Sequence, residues 1–158
     1  TAYEISSRDW SSDVCSSDLA ISGIIGIDHV GVAVTDLASA ISFYESHFGA
    51  RLLHQEENQE QAVVEAMMAI GSESGAVIQL LAPLTPDSAI ARFLERSGPG
   101  MQQLALQVHD VERAAQEARA LGIRVLYDKP KRGTRGARIN FLHPKDCGGV
   151  LLELIEST

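Results

Sequence analysis

An internal repeat is the feature that most constrains the fold of this chain. Residues 28–36 (DHVGVAVTD) align without gaps on residues 102–110 (QQLALQVHD), which follow them at an interval of 74 residues. In both copies apolar residues alternate with polar or small ones, as expected of a strand with one buried face, and each copy ends at an Asp that can cap a helix. The repeat therefore predicts two similar modules within one chain.

Four polar side chains occupy matched positions in these modules. His29 and Gln103 are the second residues of the two copies, and Gln79 and Glu153 each lie 50 residues further on, between apolar neighbours. Imidazole nitrogen, carboxylate and amide oxygens suit divalent ions, and the set lacks the thiolates of a structural zinc site. We predict that the four side chains surround one metal ion, whereas a single such His or Glu would more often be structural or solvated.

The predicted elements follow the repeat. A strand at 27–34 leads into a helix that Asp36 caps and Gly49 ends, and strands follow at 51–54, 62–68 and 75–81. After a linker at 83–88 and a short helix at 89–96, the second set comprises a strand at 101–108, a helix at 111–121 and strands at 124–127, 137–142 and 149–155, with a basic loop at 129–136. The predicted fold class is α+β, with two paired βαβββ modules, about 25–83 and 100–156, that meet edge to edge and curve around one metal-binding cleft.

The N-terminal segment and the charge balance limit the domain organisation and the partners. We set residues 1–23 apart as a disordered, non-native extension, because 9–19 (DWSSDVCSSDL) resemble a translated sequencing adapter, and assign residues 24–158 to one domain. Cys147 is then the remaining thiol, so an internal disulfide is excluded and a cytoplasmic location is expected. A net charge of −8 argues against a nucleic-acid partner, and no apolar run is long enough to span a bilayer.

One further carboxylate indicates the type of reaction. Glu65 lies in the apolar run VVEAMM (63–68), where desolvation would raise its pKa and make it a proton acceptor near neutral pH. The alternative interpretation is a carboxylate that faces water from an edge strand. If Glu65 faces the cleft, it forms with Glu153 a pair of bases about a bound substrate, which inversion of a stereocentre requires.

Six short motifs occur in order between residues 25 and 156: IDHVG (27–31), ENQEQ (57–61), VEAMM (64–68), QLLAP (79–83), LYDKP (126–130) and RINFLHPK (138–145). Together they resemble the methylmalonyl-CoA epimerase family of the vicinal oxygen chelate superfamily. The resemblance implies the vicinal oxygen chelate fold, a homodimer, and interconversion of (R)- and (S)-methylmalonyl-CoA through an enolate with Glu65 and Glu153 as acid and base. It also implies a divalent metal held by His29, Gln79, Gln103 and Glu153. Co²⁺ is the expected ion, with Mn²⁺, Ni²⁺, Zn²⁺ and Mg²⁺ as alternatives.

Some features leave alternatives open. Many members of the family have His-His where this chain has Gln102 and Gln103, and the weaker amide donor should loosen metal affinity and favour harder ions. A glyoxalase-like isomerase or lyase of the same fold, and a metal-free module that sequesters small molecules, are the alternative functions. In the basic loop region, Arg135 and Arg138 could contact the phosphates or carboxylate of a CoA thioester, or belong to a solvated turn.

Overall fold

A computed structural model describes residues 20–72 and 75–156. Its elements are β1 (Ile24–Ala33), α1 (Leu37–Phe48), β2 (Arg51–Asn58), β3 (Val63–Ala69), β4 (Val77–Pro83), α2 (Ala89–Ser97), β5 (Gly100–Val108), α3 (Val111–Ala120), β6 (Lys131–Arg132), β7 (Arg138–Leu142) and β8 (Leu152–Glu156). Of the extension predicted at residues 1–23, positions 1–19 lie outside the described residues. Ser22 donates two hydrogen bonds to the carboxylate of Glu117 on α3.

The sheet shows the repeat directly. Its strand order is β2-β3-β4-β1-β5-β8-β7-β6. Read outward from the β1–β5 contact, the strands therefore follow the same order in both halves: first, last, third and second strand. The first strand of each half pairs in parallel with the last strand of that half, β1 with β4 and β5 with β8. The two first strands pair with each other in antiparallel register. The predicted fold class of two paired βαβββ modules is therefore confirmed.

The helices of the two halves begin in the same way. The side chain of Asp36 accepts a hydrogen bond of 2.8 Å from the backbone N–H of Ser39, and Asp110 accepts one of 2.9 Å from Arg113. These caps satisfy backbone donors that the first turn of a helix leaves free. Gly49 ends α1 with a φ of 62°, a conformation that costs glycine little because it has no Cβ.

Each half has its own apolar core between its helix and its strands. In the first half Leu37 of α1 packs against a cluster that contains Met68 and Leu80, and in the second Val111 of α3 packs with Leu154. Because side chains alternate along a strand, the neighbours of these core residues point to the opposite, concave face of the sheet. The site lies on that face. None of the helices in the described ranges has the length and apolarity needed to cross a membrane.

The second half differs from the prediction at one strand. Residues 124–127 do not form a strand, since Val125 makes one isolated bridge to Leu142, and the third element of this half is the two-residue β6. The buried side chain of Asn140 explains the difference. It accepts from the backbone N–H of Tyr127 at 3.2 Å and donates to the C=O of Tyr127 at 2.9 Å, so it takes both groups that a strand ladder would use.

Candidate active site

The four residues predicted as metal ligands meet at one place on the concave face. They come from the four central strands β1, β4, β5 and β8, and all four side chains are buried. Nε2 of His29 lies 3.3 Å from Oε2 of Glu153. Nε2 of Gln103 lies 3.5 Å from Nε2 of His29 and 3.2 Å from Oε1 of Gln79, and it also donates to Oε2 of Glu153. The duplicated strands therefore bring side chains that are distant in sequence into one cluster.

A glycine on the neighbouring strand makes room for this cluster. Gly31 lies opposite Gln103 in the β1–β5 register. A Cβ atom at position 31 would overlap Cγ of Gln103. Gly31 does not have a positive φ, so any residue could adopt its backbone conformation. Glycine is required here because the side chain of Gln103 passes through the space that a Cβ would fill.

The imidazole of His29 is held from its far side. Its Nδ1 lies 2.7 Å from Oδ1 of Asp28, an arrangement that fixes the ring and directs Nε2 toward the cluster. Burial pushes the pKa of His29 down, but the hydrogen bonds and charges of Asp28 and Glu153 outweigh it and raise the pKa to about 9. A cation that bound Nε2 would therefore have to displace a proton.

Glu65 lies beside this cluster on the same face. Only 3% of Glu65 is exposed, and β3 lies between β2 and β4, so the alternative of a water-facing carboxylate on an edge strand is wrong. Oε1 of Glu65 accepts from Oγ1 of Thr134 and Oε2 accepts from Nε2 of Gln79, both at 2.8 Å. Burial raises the pKa of Glu65 to about 7, although the hydrogen bond from Thr134 acts in the opposite direction.

Thr134 is a site residue that the sequence did not reveal. It lies in the basic loop, in a short 3₁₀ turn (Thr134–Gly136), and its buried hydroxyl also accepts from Nε2 of Gln79 at 2.8 Å. Thr134 and Glu65 are 69 positions apart in the chain. A threonine in a segment rich in Gly, Lys and Arg gives no local signal for a buried contact of this kind.

A cavity connects the two carboxylates. Glu65 and Glu153 both line it, together with apolar side chains that include Ile90 and Phe141. Arg135 lies in a second depression, beside Asp28 and His29. The guanidinium of Arg138 is paired with Glu112 and Glu156, and Arg138 does not line either depression. The substrate contacts predicted for the two arginines stay predictions.

The donor set differs from that of common metal sites. Among the described residues, no group of three or more His, Cys, Asp or Glu side chains could hold a metal ion. The cluster is not such a group, because two of its four members, Gln79 and Gln103, are amides. It could hold a cation only if amide oxygens served as ligands, as hard ions allow.

The model of the Glyoxalase/Bleomycin resistance protein/Dioxygenase superfamily matches residues 26–154. The chain belongs to this superfamily. It is 49% identical to the methylmalonyl-CoA epimerase of Mycobacterium tuberculosis in a crystal structure that superposes with a TM-score of 0.83, over 89% of this chain and 93% of that one. A methylmalonyl-CoA epimerase solved in complex with methylmalonyl-CoA and NH4+ is 44% identical, with a TM-score of 0.82 over 85% of this chain and 96% of that one.

A similar relationship holds with an animal protein. The mitochondrial methylmalonyl-CoA epimerase of Mus musculus is 38% identical over 129 residues, which are 81% of this chain and 71% of that protein. These relatives confirm the resemblance that the six motifs indicate. Within the superfamily, the chain groups with the methylmalonyl-CoA epimerases.

Proposed function

We propose that this protein is a metal-dependent epimerase that interconverts (R)- and (S)-methylmalonyl-CoA. The observation that carries the proposal is the pair of buried carboxylates, Glu65 and Glu153, that line one cavity beside a cluster of convergent donors. Epimerisation at a carbon next to a thioester carbonyl requires removal of a proton from one face and its return to the other. The epimerases to which the chain is similar, one of them solved with methylmalonyl-CoA, support this choice of substrate.

The cluster fits a divalent cation. One imidazole nitrogen, one carboxylate oxygen and one amide oxygen converge on the position of the Gln103 amide, and rotation of that amide would present its oxygen as a fourth donor. The residues that would hold the cation are His29, Gln79, Gln103 and Glu153. The chemistry that a bound cation supplies here is Lewis-acid stabilisation of negative charge on substrate oxygens. We expect Co²⁺, with Mn²⁺, Ni²⁺, Zn²⁺ and Mg²⁺ as alternatives.

Glu65 is the base that takes the proton from the α-carbon. Burial raises its pKa to about 7, so it can accept a proton near neutral pH and release it again, which suits a general base that must reset on each turnover. Hydrogen bonds from Thr134 and Gln79 hold its two oxygens in place. They limit the rotation of the carboxylate and so fix the direction from which it approaches the substrate.

Glu153 is the opposing acid. It lies on β8, in the other half of the molecule from Glu65 on β3, so a substrate in the cavity between them presents opposite faces to the two carboxylates. Glu65 takes the α-proton, which leaves an enolate. The carboxyl of Glu153 must carry a proton at this stage, and its transfer to the opposite face gives the inverted centre. Both carboxyls then return to their starting protonation by exchange with water. The expected partner is thus a CoA thioester. The homodimer and the cytoplasmic location stay predictions.

The test is exchange and inversion at the α-carbon of methylmalonyl-CoA in D₂O. The wild-type protein with added Co²⁺ should replace the α-proton with deuterium and invert the centre. Glu65→Gln should lose inversion because an amide cannot accept the proton, while it retains cation binding in calorimetric titration because the four donors are untouched. The matched control is Glu57→Gln, the same change at an exposed carboxylate of β2, which should behave as the wild type does.

Normal inversion by Glu65→Gln would remove Glu65 from the mechanism. Absence of both exchange and inversion in the wild-type protein, with the cation bound, would reject the epimerase itself and leave the alternative of a binding module. Loss of cation binding together with activity in Glu65→Gln would show that the substitution disrupts the cluster, and the role of Glu65 as a base would then be unsupported.

A further inference from the structure

One residue of the cavity lining, Gln102, has a buried polar atom that the site described so far does not use. Within residues 20–72 and 75–156, Oε1 of Gln102 is the one buried side-chain oxygen or nitrogen that lacks a hydrogen-bond partner. Gln102 also lines the cavity that holds Glu65 and Glu153. An unpaired buried carbonyl costs free energy unless a partner arrives to satisfy it. The cavity is the place from which such a partner can come.

A β-bulge explains why Gln102 points into the cavity at all. Successive side chains of a regular strand point to opposite faces, so Gln102 should face away from the cleft that Gln103 faces. In the β1–β5 pair, however, Gly31 lies opposite Gln103 and the next residue, Val32, lies opposite Met101, which leaves Gln102 as an extra residue without a counterpart. Such bulges redirect a side chain and are frequent beside active sites. Here the bulge turns two consecutive glutamines toward one cavity.

The partner that the carbonyl requires is a hydrogen-bond donor on the substrate. The methylmalonyl group offers none, because its carboxylate and its thioester carbonyl are both acceptors. The first donor along the rest of the substrate is the amide N–H of the pantetheine arm, five bonds from the α-carbon and roughly 6 Å away in an extended chain. Gln102 is the residue before Gln103 on β5, and the two Cα atoms are about 3.8 Å apart. The side-chain carbonyl of Gln102 thus lies next to the donors at the reacting end of the substrate, within the length of the pantetheine arm up to its first amide.

We propose that Oε1 of Gln102 accepts a hydrogen bond from the pantetheine amide N–H nearest the sulfur, and that Gln102 is thereby a specificity-determining residue for thioesters that carry this amide. The inference rests on the proposed function, because it takes the substrate from there. The contact lies outside the reacting atoms, so it is made equally before and during proton transfer. Its loss should therefore raise KM and leave kcat nearly unchanged.

The test compares two substrates on three proteins. The substrates are methylmalonyl-CoA and an analogue in which an ester oxygen replaces the amide N–H nearest the sulfur. The wild-type protein should prefer the amide in kcat/KM by about tenfold, the usual consequence of leaving one buried acceptor unpaired. Gln102→Met, of similar shape but without the acceptor, should turn over both substrates alike. The control is Gln107→Met, the same change on β5 outside the cavity lining, which should keep the preference.

The ratio of the two substrates separates a specific contact from a general loss of structure, since a damaged fold lowers both values together. The amide-to-ester comparison on the wild-type protein stands even if Gln102→Met does not fold. No preference in the wild type, or an unchanged preference in Gln102→Met, would overturn the inference. Failure of the wild-type protein to invert either thioester would instead overturn the proposed function, and the inference with it.

Discussion

The glycine that makes room for Gln103 gives a quantitative test of the site. In Gly31→Ala the new Cβ would overlap Cγ of Gln103, whereas nonbonded carbons prefer about 3.5–4.0 Å. Overpacking of this kind typically costs about 1–3 kcal/mol. Replacing a strand glycine with alanine returns about 0.5–1 kcal/mol through the unfolded chain. We therefore expect a net destabilisation of about 1.5 kcal/mol, or roughly 5 °C in Tm for a chain of this length.

The same strand contains a matched control. Gly26 also lies on β1 without a positive φ, and within residues 20–72 and 75–156 no atom beyond its own chain neighbours lies within 4 Å of the Cβ that alanine would add there. Gly26→Ala should thus be neutral or stabilising by about 0.5 kcal/mol. Thermal melts of both variants in chelator give the comparison. Calorimetric titration with Co²⁺ should then show at least a tenfold loss of affinity for Gly31→Ala alone, because the displaced Gln103 amide no longer reaches the other donors.

A second substitution isolates the cause. In Gly31→Ala combined with Gln103→Ala the collision is gone, so the two changes should be less destabilising together than their separate effects predict, by at least about 1 kcal/mol. Equal melting temperatures for Gly31→Ala and Gly26→Ala would refute the reasoning. So would a cost of Gly31→Ala that is the same whether residue 103 is Gln or Ala.

The remaining predictions concern the ionisation of Glu65. The acid limb of the plot of kcat/KM against pH should lie near pH 7, where Glu65 loses its proton. Thr134→Val removes a hydrogen bond that favours the ionised form of Glu65, so it should move this limb to higher pH. Thr134→Ser keeps the hydroxyl and should leave the limb in place. Glu65 also binds its proton more tightly when folded, since its pKa rises from 4.5 to about 7, so its contribution to stability is complete below pH 4.5 and is lost as the pH rises through 7. Urea denaturation of the metal-free protein should show that the free energy of unfolding falls by about 3 kcal/mol between pH 4.5 and pH 8 because of this group, and Glu65→Gln should lack this fall. The same change with pH in both proteins would contradict the assignment.

The part of the fold that the repeat controls could be predicted from the sequence. The alternation in residues 28–36 and 102–110, followed by an Asp cap, identified β1, β5 and the helices after them, because strand period and capping are local properties. The pairing of β1 with β5 then brings His29 and Gln103 together. A two-fold repeat thus carries information about distant contacts that single segments lack.

The contacts that the repeat does not encode could not be predicted. Asn140 replaces a strand ladder at Tyr127 by hydrogen bonds from its side chain, and nothing in residues 124–127 alone distinguishes this arrangement from a strand. Thr134 reaches Glu65 from a loop of the other half. The first contact depends on packing within the second half, and the second depends on how that half packs against the first.

The shared strand order of the two halves has a mechanical consequence. Each half supplies two of the four donors, His29 and Gln79 from one and Gln103 and Glu153 from the other. Neither half can encircle an ion by itself. An ion bound by all four side chains would link the two halves across the β1–β5 contact. Separation of the halves would release the ion, so the fraction of protein with bound ion would report the stability of this contact.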